Sequence, residues 1–245
     1  MNVLVDIGNT RIKWCMDENG SIGTVHAIEH KKEFIGQIEQ NWLNQNTPEL
    51  LAISSVANKE IYTQIVELAK KLWPEIKVVI AKTSASFGLV SNAYQQADRL
   101  GIDRWLGLIA LHHYYPGNSC IISCGTAITV DYLNKKGQHL GGMISPGLQL
   151  MRKSLCKGAS DLPYIDQHYP VAPADSTESA IYAGTIFAAT GLIEKSINKF
   201  EHCKKIVLTG GDAQVIAQHL AVKSIIETDF VLKGLSLYCI GMGIE

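Results

Sequence analysis

A glycine turn that occurs twice constrains this chain more than any other feature. The first copy, "DIGNT" (Asp6 to Thr10), closes a β-branched and leucine run; the second, "SCGTA" (Ser123 to Ala127), closes a similar run. The 117 residues between Gly8 and Gly125 also separate Gly20 from Gly137, so "DENG" falls on "NKKG" and Asp6 on Ser123. Strand, glycine turn, strand, glycine hairpin and returning strand recur in register, which is the pattern of an internal duplication. Each set of three antiparallel strands is followed by helix–strand alternation. This predicts an α/β fold of two halves, 1–115 and 116–245, with a ligand-binding cleft between them.

Apolar periodicity predicts strands at 2–7, 11–16, 21–28, 50–56 and 77–80, with helices at 31–44 and 59–73. In the second half it predicts strands at 119–123, 128–133, 138–144, 205–208 and 224–226. Helices are expected at 148–155, 178–200, 213–220 and 231–242.

A chain of 245 residues, 47% apolar and 18% charged, has enough material for a sizeable core. Its net charge of −1 gives no reason to expect a nucleic-acid partner. Six scattered cysteines read as reduced thiols rather than as disulfides or a zinc site. No apolar run approaches the ~20 residues that span a bilayer, and the N-terminus lacks a signal-peptide pattern. A cytoplasmic protein is the expectation.

Each glycine turn has a physical use, because glycines let backbone amides approach phosphate oxygens and threonine hydroxyls add donors. In the first turn Gly8, Asn9 and Thr10 would do this, and Asp6 is placed to hold a hydrated Mg²⁺ against the phosphates. Lys13 alternates with Arg11 on the hairpin and is suited to neutralising a transferring phosphoryl group. The competing reading is a plain hairpin turn. Gly125 and Thr126 offer a second phosphate loop, and Gly210 and Gly211 in "TGGD" suit close approach to a nucleotide. A third constellation is "GIDRWLGLIAL" (Gly101 to Leu111), whose helical spacing puts Asp103 at or near a helix start. Asp103 is either a cap or a base that takes a proton from a substrate hydroxyl, beside an Arg104 that grips an anionic group.

The ordered set "DIGNTRIKW", "GIDRW", "GTAITVD", "HLGGMISPG" and "TGGD" resembles the type III pantothenate kinases, the CoaX family of the ASKHA superfamily. The resemblance implies two ribonuclease-H-like (actin-like ATPase) halves, a homodimer, and ATP-dependent phosphorylation of pantothenate at the start of coenzyme A biosynthesis. It makes Asp6 the organiser of Mg²⁺, held through water, and Asp103 the general base. It makes Arg104 the ligand of the pantothenate carboxylate, with Tyr94, Gly101, Ile102 and Thr177 around the substrate. The long helix at 178–200 resembles the family's dimer helix.

Two positions depart from the family pattern. Ala97 stands where a proline is common, which bears on loop stiffness. Ser123 stands where an Asp linked to a monovalent cation (K⁺ or NH4⁺) is usual, and a neutral hydroxyl attracts a cation far less. Ser123 therefore keeps open an alternative, a catalytically weak or inactive nucleotide-binding accessory protein. An ASKHA kinase for another hydroxyl substrate is a third reading, disfavoured by "GIDRW".

Overall fold

In the first sheet, β1 (Asn2–Ile7) buries Val3, Leu4, Val5 and Ile7 completely, so residues on both of its faces are covered. A strand with that pattern belongs in the middle of a sheet with layers on each side. The computed structural model describes residues 1–29, 34–159, 161–200 and 203–243. They form two compact units, one of Met1–Tyr114 with Asp229–Glu245, the other of Tyr115–Thr228.

In the first unit β1 pairs antiparallel with β2 (Arg11–Glu18), which continues to β3 (Ser21–Ile22) and β4 (His26–Glu29). On its other side β1 pairs in parallel with β5 (Leu50–Ser55), and β5 with β6 (Lys77–Ile80). Helices α1 (Phe34–Trp42) and α2 (Lys59–Leu72) bury Ile38, Trp42, Ile65 and Leu68. A short hairpin follows, β7 (Ser86–Phe87) and β8 (Val90–Ser91), then a 3-10 turn at Ala97–Arg99 and helix α3 (Ile102–Tyr114).

The second unit repeats the plan. Here β9 (Ser119–Cys124) pairs antiparallel with β10 (Ala127–Leu133), which pairs with β11 (His139–Pro146). On the other side β9 pairs in parallel with β12 (Lys205–Thr209), and β12 with β13 (Ile225–Ile226). Helices α4 (Leu148–Gly158), α5 (Thr177–Lys199) and the short α6 (Ala213–Ala217) complete the unit. The two sheets run β3-β2-β1-β5-β6 and β11-β10-β9-β12-β13, one strand order used twice. The repeat legible in the glycine turns is thus a repeat of topology. The turns themselves differ in length: the Gly8 amide donates to the Arg11 carbonyl three residues on, and the Gly125 amide to that of Ala127 two residues on, so the second turn is one residue shorter.

Several local expectations are corrected. The returning strand expected at 21–28 is split, because Trp14 pairs with His26 while Asp17 pairs with Ile22, leaving one extra residue on the returning side. That is a β-bulge, and the Gly23 amide donating to the Met16 carbonyl holds it. The helix expected at 213–220 ends at Ala217 and continues only as tight turns. The helix expected at 31–44 is seen as α1; its residues 31–33 lie outside the described residues.

The last helix, α7 (Phe230–Gly241), packs in the first unit against α3, β1 and β5, although 116–245 was expected to form one half. The reason is its composition: Phe230, Leu232, Leu235 and Cys239 are all buried, so it needs neighbours on several sides. Ser236 also donates to the buried Asp17 of β2, at 2.9 Å. In the second unit, the motif residues Asp131 and His139 form a buried pair 3.0 Å apart across β10 and β11.

Candidate active site

β1 carries Asp6 to the end of the first sheet, between Lys13 of β2 and Ser54 of β5 in register. The Asp6 carboxyl is pushed up to about 7, first by burial and then by the negative charge of Asp103. The Ser54 hydroxyl and the Lys13 ammonium pull it down, and Asp229 raises it again. Asp6, Lys13, Asp103 and Asp229 therefore form one electrostatic cluster within the first unit. Lys13 gives its hydrogen bond to Asp229, at 2.7 Å. Asn9 and Thr10 are exposed on the turn beyond Asp6.

Asp103 is the second residue of α3, and it is not the cap. The Gly101 carbonyl accepts the Trp105 amide, which makes Gly101 the residue that opens the helix. A Cβ on Gly101 would come within 2.6 Å of Asp103 Oδ1, so a glycine here leaves room for the carboxylate. Ile102 is buried, while Arg104 is only 7% exposed and donates to the Tyr94 hydroxyl at 2.9 Å. The guanidinium carbon also lies 5.6 Å from the centre of the Tyr94 ring. A guanidinium held this way is pre-organised for an anionic partner.

The loop that carries Tyr94 is braced by a residue that sequence reasoning passed over. Asn92 donates to the carbonyls of Ser84 and Ala97 and accepts the Tyr94 amide. Thr83 ties the far end by donating to the Leu100 carbonyl. These side-chain bridges tie the loop on both sides of Tyr94. Asn92→Ala is expected to loosen the loop that carries Tyr94 at a cost of about 1 kcal/mol, with a several-fold rise in substrate KM and a smaller change in kcat. Steady-state kinetics on the variant check this.

In the second unit Ser123 lies between Thr129 of β10 and Thr209 of β12. Three hydroxyl residues thus occupy the row that holds Lys13, Asp6 and Ser54 in the first unit. The two loops at this end are knitted together, since the Asp212 amide donates to the Cys124 carbonyl at 3.0 Å. Gly210 has φ +97°, and a Cβ there would overlap the Cys124 backbone, so this position is built for loop packing. Gly211 has open space above it and is the one of the pair available for close approach by a ligand. Thr126 is exposed in its turn. Thr177 is the first residue of α5; the cap is Ser176, whose hydroxyl accepts the Ser179 amide. Thr177 lines an apolar groove of about 680 Å³ with Met151, Leu155 and Ile181.

The type III pantothenate kinase family model matches residues 2–199. The chain belongs to this family. A type III pantothenate kinase of Laribacter hongkongensis is 37% identical over 244 residues, spanning 96% of this chain and 97% of the relative. A kinase of the same description from Acinetobacter baumannii is 37% identical over 245 residues, spanning 96% and 95%. Among solved structures, the activator of the 2-hydroxyisocaproyl-CoA dehydratase from Clostridium difficile, with bound ADPNP, superposes with a TM-score of 0.56 at 12% identity, covering 99% of this chain and 94% of that one. The chain therefore shares the α/β fold of that activator, with one strand order used twice, in line with the fold class that the resemblance implied.

Membership in this kinase family implies ATP and a divalent cation. Among the described residues no group of three or more His, Cys, Asp or Glu side chains could hold a metal ion. The first unit nevertheless fits a hydrated cation: the half-buried Asp6 feels the charges of Asp103 and Asp229, an excess of negative charge that a cation relieves. A divalent ion such as Mg²⁺ keeps most of its waters and needs only one or two carboxylates besides phosphates.

The raised Asp6 carboxyl has a consequence for stability. Its folded value, about 7, lies above the unfolded value, near 4, so the native state holds a proton that the unfolded state has lost. The stability this proton contributes is full below pH 4 and is lost as pH rises through about 7. Ligand-free Asp6→Asn protein is therefore expected to melt about 2–4 °C above the parent at pH 8 without divalent cations, and to match it near pH 4. Melting curves across that range check the sign.

Proposed function

We propose that the protein transfers the γ-phosphoryl group of ATP to the primary hydroxyl of pantothenate, giving 4'-phosphopantothenate and ADP at the entry to coenzyme A biosynthesis. The observation that carries this reading is the grouping at the start of α3. Asp103 acts electrostatically on Asp6, and the next residue, Arg104, is a buried guanidinium held by Tyr94. Family membership favours the kinase over the non-catalytic alternative.

Asp103 is the general base. Its carboxylate takes the hydroxyl proton as the oxygen bonds to the γ-phosphorus and the bond to the β-phosphate oxygen breaks. Arg104 binds the pantothenate carboxylate, with Tyr94, Thr177 and the backbone at Gly101 and Ile102 completing the substrate's surroundings. Gly8, Asn9, Thr10, Gly125 and Thr126 donate to phosphate oxygens, and Gly210 and Gly211 border the nucleotide. Lys13 offsets charge on the transferring phosphoryl group, and Asp6 is the residue that would hold Mg²⁺, through water. When bound, the cation neutralises charge on the phosphates.

The neutral row Thr129, Ser123 and Thr209 supports a weak dependence on K⁺ or NH4⁺. A homodimer is supported by the apolar side chains exposed on β11, α4 and α5, namely Ile144, Leu150, Leu155 and Phe187. Six free thiols suit a cytoplasmic location. No helix among the described residues is long and apolar enough to cross a membrane.

The deciding experiment is a coupled ADP-release assay with and without pantothenate, repeated in K⁺, Na⁺ and NH4⁺ salts. ADP release that requires pantothenate is expected in all three. Equal release without pantothenate removes the substrate assignment, and ATP binding without turnover in every salt restores the accessory reading.

A further inference from the structure

Asp229 has a partner that a capping role does not explain. It sits at φ +56°, ψ 30°, in the left-handed region that, glycine aside, mainly Asn and Asp visit. Among the described residues the only other non-glycine with positive φ is Asn19, which stands in the hairpin turn before Gly20, where that conformation is the usual one. Asp229 also occupies the capping position of α7, yet its side chain makes no capping hydrogen bond. An Asp cap is worth about 1 kcal/mol, so this carboxylate is committed elsewhere.

It is committed to Lys13, 216 positions away in the chain, through a 2.7 Å hydrogen-bonded ion pair with both side chains partly buried. Lys13 stands opposite Asp6 across the β1–β2 ladder and still gives its hydrogen bond to Asp229. The pairing does two things. It fixes the long, flexible lysine side chain in one place, and it keeps the ammonium from closing onto its cross-strand neighbour. The chain re-enters the first unit at Asp229 itself, so α7 follows a cap residue that is already bonded to Lys13, the cross-strand neighbour of Asp6.

We propose that Asp229 is a positioning residue for phosphoryl transfer, holding the Lys13 ammonium in the place from which it meets the transferring group and leaving the Asp6 carboxylate unpaired by lysine. This rests on the reading of Lys13 given under Proposed function.

Three variants test it on the full-length protein: Asp229→Asn, Asp229→Gly and Lys13→Met, with the double variant Lys13→Met/Asp229→Asn. Asparagine tolerates the left-handed backbone and glycine adopts it without cost, so both remove the charge and spare the fold. Both are expected to lower kcat roughly 10–100-fold, in keeping with the loss of a placed charge at a transition state. Their melting temperature and the KM for pantothenate should stay near the parent's, and glycine should melt no lower. The double variant should be no slower than Lys13→Met alone, because the carboxylate acts through the lysine. If Lys13→Met is slow while both Asp229 variants keep the parent's kcat, the positioning role is wrong. Asp229 losses that multiply with the Lys13 loss, or that follow a lowered melting temperature, overturn it as well. If Lys13→Met itself turns over normally, the role assigned to Lys13 falls, and the proposal with it.

Discussion

Asp103→Asn is expected to lower kcat by about 10²–10⁴, the usual contribution of a placed general base, with nucleotide affinity little changed. The substitution is nearly isosteric and falls at the second position of α3, whose start is secured by the Gly101 carbonyl. Helix α3 should therefore survive it. Removing the charge also takes away the second-largest cause of the raised Asp6 carboxyl, so Asp6 titrates lower and thermal stability at neutral pH should not fall. Steady-state ADP release, nucleotide calorimetry and a melting curve separate these effects. A variant within a few-fold of parental kcat would show that proton removal is not the work of this carboxylate.

Arg104→Ala is expected to raise the KM for pantothenate roughly 10–100-fold, the weight of a charge-assisted hydrogen-bonded contact. The ATP KM should barely move. Arg104 is buried and bound to the Tyr94 hydroxyl, so truncation also loosens the packing there, and a lower melting temperature is expected. A neutral substrate separates recognition from packing. With the carboxamide analogue of pantothenate, parent and variant should differ far less than they do with the acid. Arg104→Lys should not restore binding, since an ammonium lacks the planar fork. Equal penalties with acid and amide would assign Arg104 a packing role only.

Much of the architecture was legible because it is encoded by near neighbours. β1 and β9 are continuous apolar runs that end at glycine turns, and the second copy of the turn announced a second sheet of the same strand order. Residues that share one loop or one helical turn, such as Asp103 and Arg104, were equally open to reading. The division at 1–115 and 116–245 missed the return of α7, because an apolar helix does not say which core it will fill. The bulge after Ile22 was also missed, since register depends on what the opposite strand offers. Asn92 gave no signal, as its role lies in three backbone contacts made only once the loop has closed.

From its sequence alone this chain could be seen to repeat a strand and glycine-turn plan, to carry an acid in one copy and a hydroxyl in the other, and to place an Asp-Arg pair at a helix start. Periodicity and turn chemistry act over a few residues, so they survive in one dimension. The tertiary structure decided that desolvation, and after it the charge of Asp103, pushes the Asp6 carboxyl up to about 7. It also decided that the lysine beside Asp6 is claimed by Asp229 from the far end of the chain. Electrostatic coupling and burial depend on distance in space, and only the packed fold sets that distance.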